Sequence, residues 1–239
     1  MIAGIEASLS VGRSSDVKEK PPFPGKSYSE EIINHQDKRE GFSIEKPLRV
    51  LYAGSKRSSE LDLEYSYKTI ANGIRNHISK GTIIFNKNLN INTSNIFDIL
   101  LEEQPNIFHF SGKQDEGDIR ITDENNNILT ISDVELAGYL TSFGNSIKLA
   151  IIDTCYSYNC AKSISDVVDF AIGVKDSIYD VDADKFYKVF YNALCTGHSV
   201  KDSIGQATAS LKFQKTPLKE IPVLFSKKTA DPSKAYFVS

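Results

Sequence analysis

Apolar residues fall along this chain in short runs separated by stripes at helical spacing. Leu48-Arg49-Val50-Leu51-Tyr52-Ala53-Gly54 is an apolar run closed by glycine, the pattern of a buried strand. Leu63, Tyr67, Ile70, Ile74 and Ile78 then recur on one helical face, and Gly81 ends that helix. Residues 82–85 form a second strand. A helix capped by Thr93 or Ser94 runs through Leu101 and stops at Pro105. Residues 106–112 form a third strand, and 118–122 and 128–130 flank a polar turn as a hairpin. Ser132 caps a helix that carries Val134, Leu136, Ala137 and Leu140 on one face. The strongest strand signal covers 147–153, and a further strand covers 167–174. Helices over 183–195 and 199–211 and a strand over 221–225 complete the pattern.

Strands that alternate with helices require crossover connections, so the pattern predicts an α/β fold with a mostly parallel sheet covered on both faces. The first 47 residues read differently. Pro21, Pro22 and Pro24 interrupt any ladder or helix there, and serine and charge dominate the remainder. We therefore expect an extended or weakly ordered arm over 1–47, one domain over 48–227 and a tail over 228–239. The arm could also dock a partner, through Phe23 and residues 28–33. No internal repeat occurs. Neither a G-x-x-x-x-G-K-[ST] loop nor a G-x-G-x-x-G turn occurs, so the usual nucleotide-binding modes find no support.

Composition narrows the function classes. The 239 residues carry a net charge of −3, so no basic excess would draw nucleic acid non-specifically. No apolar run approaches membrane-spanning length, and residues 1–12 lack the basic start and apolar stretch of a signal peptide. Three cysteines, Cys155, Cys160 and Cys195, make an odd and low count, which points to a reducing cytoplasm. Cys155 and Cys160 have no histidine near them in sequence, so neither a metal site nor a cofactor is expected.

Functional groups in open α/β sheets collect beyond the carboxyl ends of the strands. Two strand ends here carry candidate chemistry: Ser111-Gly112-Lys113-Gln114 and Asp153-Thr154-Cys155-Tyr156-Ser157. A cysteine just past a core strand can face a cleft where a base would generate its thiolate, or it can be a small buried hydrophobe.

The stretch His109-Phe110-Ser111-Gly112, followed by a hairpin and then Ile151-Ile152-Asp153-Thr154-Cys155-Tyr156-Ser157, resembles the two motifs of the CHAT family. That family belongs to the caspase-like cysteine peptidases. Phe170-Ala171-Ile172-Gly173-Val174 resembles its A-I-G-M strand, and residues 186–194 resemble its F-x-x-x-F-Y-x-A-L helix. Gly197-His198-Ser199-Val200 and Pro222-Val223-Leu224 resemble its closing elements. The resemblance implies a caspase-like three-layer α/β/α sandwich, with Cys155 at the nucleophile position. The catalytic histidine of the H-F-S-G-H-G motif is replaced here by Lys113. Gly112 and Gln114 fall on the oxyanion loop, with Gln114 where the family has a glycine. His109 matches the motif's first histidine, and lies about 13 Å from Lys113 along an extended chain, too far back to serve Cys155.

Asp180 matches a position where an acidic residue can select basic side chains, and Asp153 joins it as a pocket candidate. Alternatively Asp180, Asp182 and Asp184 cap or open a helix. The resemblance thus implies a catalytically impaired protease domain that binds a protein or peptide segment in a prokaryotic defence or signalling system, with a companion protease as a possible partner. Two other readings remain open. One is an active cysteine endopeptidase with Lys113 or a partner's residue as base. The other is a non-catalytic scaffold.

Overall fold

The structure, a computed structural model, describes residues 42–44, 47–55, 62–115, 118–144, 146–217 and 221–238. The arm expected over 1–47 lies outside the described residues, apart from 42–44 and 47. The described part opens with β1 (Phe42–Ser43) and β2 (Leu48–Gly54), followed by α1 (Leu63–Gly73), α2 (Arg75–Ser79) and β3 (Ile83–Asn88). Next come α3 (Ile96–Glu103), β4 (Ile107–Ser111), β5 (Gln114–Asp115), β6 (Asp118–Thr122), β7 (Ile128–Ile131) and α4 (Asp133–Thr141). The chain continues through β8 (Leu149–Asp153), α5 (Tyr158–Ile164), β9 (Phe170–Gly173), α6 (Asp180–Cys195), α7 (Val200–Phe213), β10 (Val223–Ser226) and β11 (Ala235–Tyr236).

Six strands form the central sheet in the order β10-β9-β8-β4-β2-β3, parallel except for β10. Its central strands are apolar in nearly every position because helices cover both faces. Leu149, Ala150, Ile151 and Ile152 of β8 are all fully buried. Alternation divides the strands between two cores. Val50, Tyr52, Ile107, Leu149 and Ile151 pack with Ile70, Phe186, Phe190 and Leu211 of α1, α6 and α7. Leu51, Ala53, Phe108, Phe110, Ala150 and Ile152 pack with Leu100, Leu140 and Ile164 of α3, α4 and α5, and with Ile119 and Ile121 of β6. The mostly parallel sheet covered on both faces is what the sequence pattern predicts, and the three-layer α/β/α sandwich is what the resemblance implies. No helix of the described residues is long and apolar enough to cross a membrane.

Several elements differ from expectation: α3 starts after Asn95 rather than from a Thr93 or Ser94 cap, and α5 was not expected. The segment expected as a tail packs onto the domain within its described residues, 228–238: Ala235, Phe237 and Val238 are buried against the α6 and α7 core, and β11 pairs in parallel with β1. The helix from Leu63 breaks into α1 and α2 at Ile74. Gly73 lets α1 lie close to α6, since an added Cβ there would stand 2.6 Å from Lys188 Cγ. The strand expected over 167–174 shortens to Phe170–Gly173. The residues before it close α5, with the Val167 and Val168 amides both donating to the Ile164 carbonyl.

Candidate functional site

β4 and β8 run side by side in parallel, with Ser111 opposite Asp153 at their carboxyl ends. Lys113 and Cys155 thus lie two residues beyond the last paired residues of adjacent strands. The Gly112 amide donates to the Asp153 carbonyl over 3.3 Å and extends the ladder by one residue. That donor is engaged in the sheet. A Cβ on Gly112 would come within 2.8 Å of the Phe110 ring, so a small residue is needed at this exit. Gln114 begins β5, paired with Ile119 of β6.

The loop bearing Cys155 is tightly held. Tyr156 takes a left-handed backbone, φ 59°, which is strained for a bulky residue and typical of functional turns. Its amide donates to the Asp176 carbonyl at 3.2 Å, and the Tyr158 amide to Val174 at 2.9 Å. Ser157 is fully buried beneath the turn. Its hydroxyl shares its hydrogen between the carbonyls of Ile152 (2.7 Å) and Thr154 (2.8 Å) and accepts from the Val174 amide (2.9 Å). One side chain thereby joins the ends of β8 and β9 under a half-buried Cys155. Cys160 and Cys195 are buried, and burial pushes each thiol up to about 12.

A set of carboxylates faces the α6 side of this edge. Asp153 follows Leu149 and Ile151 in the alternation, so it points toward α6, and it accepts from the Ser111 hydroxyl at 3.3 Å. Asp184 is almost wholly buried, and burial pushes its carboxyl up to about 6. A hydrogen bond from Ser66 opposes that rise, while Asp153, Asp180 and Asp62 add to it. Asp180 stands exposed at the start of α6, yet the protein around its carboxyl still withholds enough water to raise it. Asp153 adds to the rise, and the Lys113 cation opposes it. Asp180, Asp153 and Lys113 therefore share one electrostatic neighbourhood. The N-cap of α6 is Tyr179 and carries no side-chain cap bond; Asp180 opens the helix in its first turn, where its charge complements the helix dipole.

His109 is fully buried in the same face. Its ring packs against Tyr52 (4.8 Å between centroids), Tyr187 (4.6 Å) and Tyr191 (5.9 Å). Its Nδ1 shares a 3.0 Å hydrogen bond with the Tyr191 hydroxyl, and its Nε2 lies 3.6 Å from Asp153 Oδ2. It is a packed strand histidine. Among the described residues, no group of three or more His, Cys, Asp or Glu side chains could hold a metal ion.

No family model matches the chain. A protein of Gillisia limnaea described as a probable protease is 26% identical over 197 residues, covering 81% of this chain and 34% of that protein. The chain thus spans about a third of that relative's length. Among solved structures, the Drosophila initiator caspase Dronc aligns over 96% of this chain and 98% of its own, with a TM-score of 0.47 and 9% identity.

Two participants were not legible in the sequence. Ser157 lay inside a quoted motif with no role, because its three partners come from two different strand ends. Asp184 read as one of three acids opening a helix. Its burial arises from α1 packing across α6, which brings Ser66 to it. The arrangement offers a thiol on a rigid turn, a cation on the neighbouring loop and carboxylates beneath, which is suited to holding a basic peptide side chain near the thiol.

Proposed function

We propose that this chain is a caspase-like domain of the CHAT type that holds a peptide segment bearing Lys or Arg across the carboxyl edge of its sheet and cuts it poorly. The observation that carries the reading is that Cys155 and Lys113 leave adjacent parallel strand ends, with Asp153 and Asp180 beside them. The likeness to a probable protease supports the peptidase type of the domain. Cysteine-dependent amide cleavage needs a group that takes the thiol proton and returns one to the leaving amine. In this reading Lys113 occupies the histidine's place, and an ammonium there is a poorer proton relay than an imidazole. His109 is enclosed by tyrosines and cannot substitute. The carboxylates attract the basic side chain. A companion protease in a defence or signalling system would then supply the cutting.

The test measures binding and turnover together. Labelled peptides containing one Lys or Arg should bind saturably, and Asp180→Asn should weaken them about tenfold, the loss of one charge-assisted hydrogen bond. Turnover should be slight, with or without Cys155→Ala. Absence of binding by any basic peptide overturns the peptide site, and robust Cys155-dependent turnover overturns the impairment. A second reading, an active peptidase with Lys113 as base, is favoured by Lys113's place one loop away from Cys155 and is what that second outcome would establish.

A further inference from the structure

A second recess opens beside Lys113, on the side away from the acidic groups. It is an open recess lined by Ser55 after β2, Gly112 and Lys113 after β4, Arg120, Ile121 and Thr122 of β6, and Ile128 of β7. β2 and β4 are the strands between which the sheet changes direction, since β3 flanks β2 on one side and β8 flanks β4 on the other. Ligands of open α/β sheets bind in the crevice at such a point. Here the β6–β7 hairpin forms one wall of the crevice.

The lining is matched to an anion. Two of its side chains, Lys113 and Arg120, are cations, and among the described residues none is acidic. Lys carries three donors and Arg five, so each can serve a ligand while engaged elsewhere. The floor supplies a further donor. Ser55 is 7% exposed and Thr122 5%. The Thr122 amide donates to Ser55 Oγ at 3.2 Å, and the two hydroxyl oxygens lie 3.2 Å apart. The pair has two hydroxyl hydrogens, and one spans the two oxygens. The other can be directed into the recess, where a ligand oxygen would accept it. Ile121 and Ile128 wall the recess with apolar surface that suits the methylenes of a short acidic side chain.

Charge is therefore divided across the edge of the sheet. Asp153 and Asp184 belong to the α6 face. Ser55 continues the alternation of Leu51 and Ala53, which face the hairpin side. Lys113 stands between, lining the recess and acting on Asp180.

We propose that this recess receives the carboxylate of an Asp or Glu side chain, so that the domain recognises segments with a basic residue for the α6 side and an acidic residue for the hairpin side. The specificity rests on the peptide-binding reading above. The recess itself does not, and the experiment separates the two.

Fluorescence polarisation on the full chain compares labelled peptides that carry one Lys with Glu, Ala or phosphoserine placed before or after it. In one of the two orders the Glu peptide binds about tenfold tighter than its Ala counterpart, the scale of a hydrogen bond to a charged group. Arg120→Gln abolishes that ratio and leaves the Lys-dependent affinity. Asp180→Asn does the reverse. Equal weakening of Glu and Ala peptides by Arg120→Gln overturns the proposal, and preference for phosphoserine over Glu overturns the carboxylate assignment.

If no peptide binds, the peptide reading fails. The recess is then judged by titrating the ¹⁵N-labelled chain with N-acetylglutamate methylamide and, separately, with inorganic phosphate. A saturable shift of the Arg120 Nε–H with the carboxylate, lost in Lys113→Gln, sustains it. No saturable shift with the carboxylate at tens of millimolar overturns it.

Discussion

His109 Nε2 lies 3.6 Å from the Asp153 carboxylate, on the face of the sheet that α6 covers, while its Nδ1 is held by the Tyr191 hydroxyl. The imidazole therefore faces the α6 core, walled by three tyrosine rings. This makes His109 a packing residue, held by the Tyr191 hydroxyl and the surrounding tyrosine rings. His109→Ala should destabilise the domain by about 2–5 kcal/mol, through the cavity it leaves and the orphaned Tyr191 hydroxyl. Urea unfolding measures this. The alkylation rate of Cys155 in the folded fraction should stay unchanged. A slower rate at unaltered stability would give His109 a part in the chemistry.

Cysteine labelling should be selective. Cys155 is half-buried on its loop, whereas Cys160 and Cys195 are enclosed and their thiols stand near 12. The thiolate is the reactive form. Brief iodoacetamide treatment of the folded chain should add one group, and Cys155→Ser should abolish it, as read by intact mass. Lys113→His combined with Gln114→Gly should restore the proton relay and raise peptide turnover about 10²–10⁴-fold, the usual contribution of general acid–base catalysis. Unchanged turnover in a variant that still folds and still binds peptide would show that the missing histidine is not what limits cutting.

The Cys155 turn depends on close packing behind it. A Cβ on Gly173 would stand 2.6 Å from Ala161 Cβ and 2.6 Å from the Ser157 carbonyl oxygen, and neither can swing aside. Gly173→Ala should cost about 1–3 kcal/mol as overpacking and should displace the loop. Ser157→Ala should cost about 1–3 kcal/mol, because the buried Val174 amide loses its acceptor. Both should slow Cys155 alkylation or make it heterogeneous. If both variants are destabilised yet alkylate as before, the loop is held by other contacts.

The sheet was legible because its strands are buried on both faces and so read as apolar runs between helical stripes. β8 shows this most plainly, with Leu149 to Ile152 uninterrupted. α5 was not legible. It spans only Tyr158–Ile164, its apolar positions are the small Cys160 and Ala161 with Ile164, and it is flanked by a motif and a valine pair that mimics a strand. The closing segment read as a tail because its apolar run, Ala235 to Val238, is only four residues long and follows the polar stretch from Ser226 to Lys234, and contact with α7 and β1 gives it a core. That Lys113 and Cys155 each lie just past a strand was legible in the apolar runs, whereas the adjacency of their strands rested on the family resemblance. The aromatic cage of His109 and the enclosure of Asp184 did not, because their partners lie far away in sequence, on helices whose packing no local pattern specifies.

Asp184 makes the α6 side pH-sensitive in a defined direction. Its carboxyl is raised to about 6 by burial, against about 3.9 in an unfolded chain. The folded state therefore binds this proton more tightly than the unfolded state does. Stability falls as pH rises through the window from about 4 to about 6, and above it the full penalty of a buried carboxylate remains. Asp184→Asn removes that penalty and keeps an acceptor for Ser66. It should raise Tm at neutral pH, by about 2–4 °C for each kcal/mol recovered, and the gain should vanish near pH 4. A bound Lys or Arg side chain favours the carboxylate, so binding should release protons. Affinity for a basic peptide should weaken as pH falls through about 6, with the raised Asp180 adding in the same sense. Thermal melts and binding isotherms over this range check both statements. An Asn variant less stable than the parent at neutral pH would mean that the charged form of Asp184 supports the fold, and the predicted pH dependence of stability would be reversed.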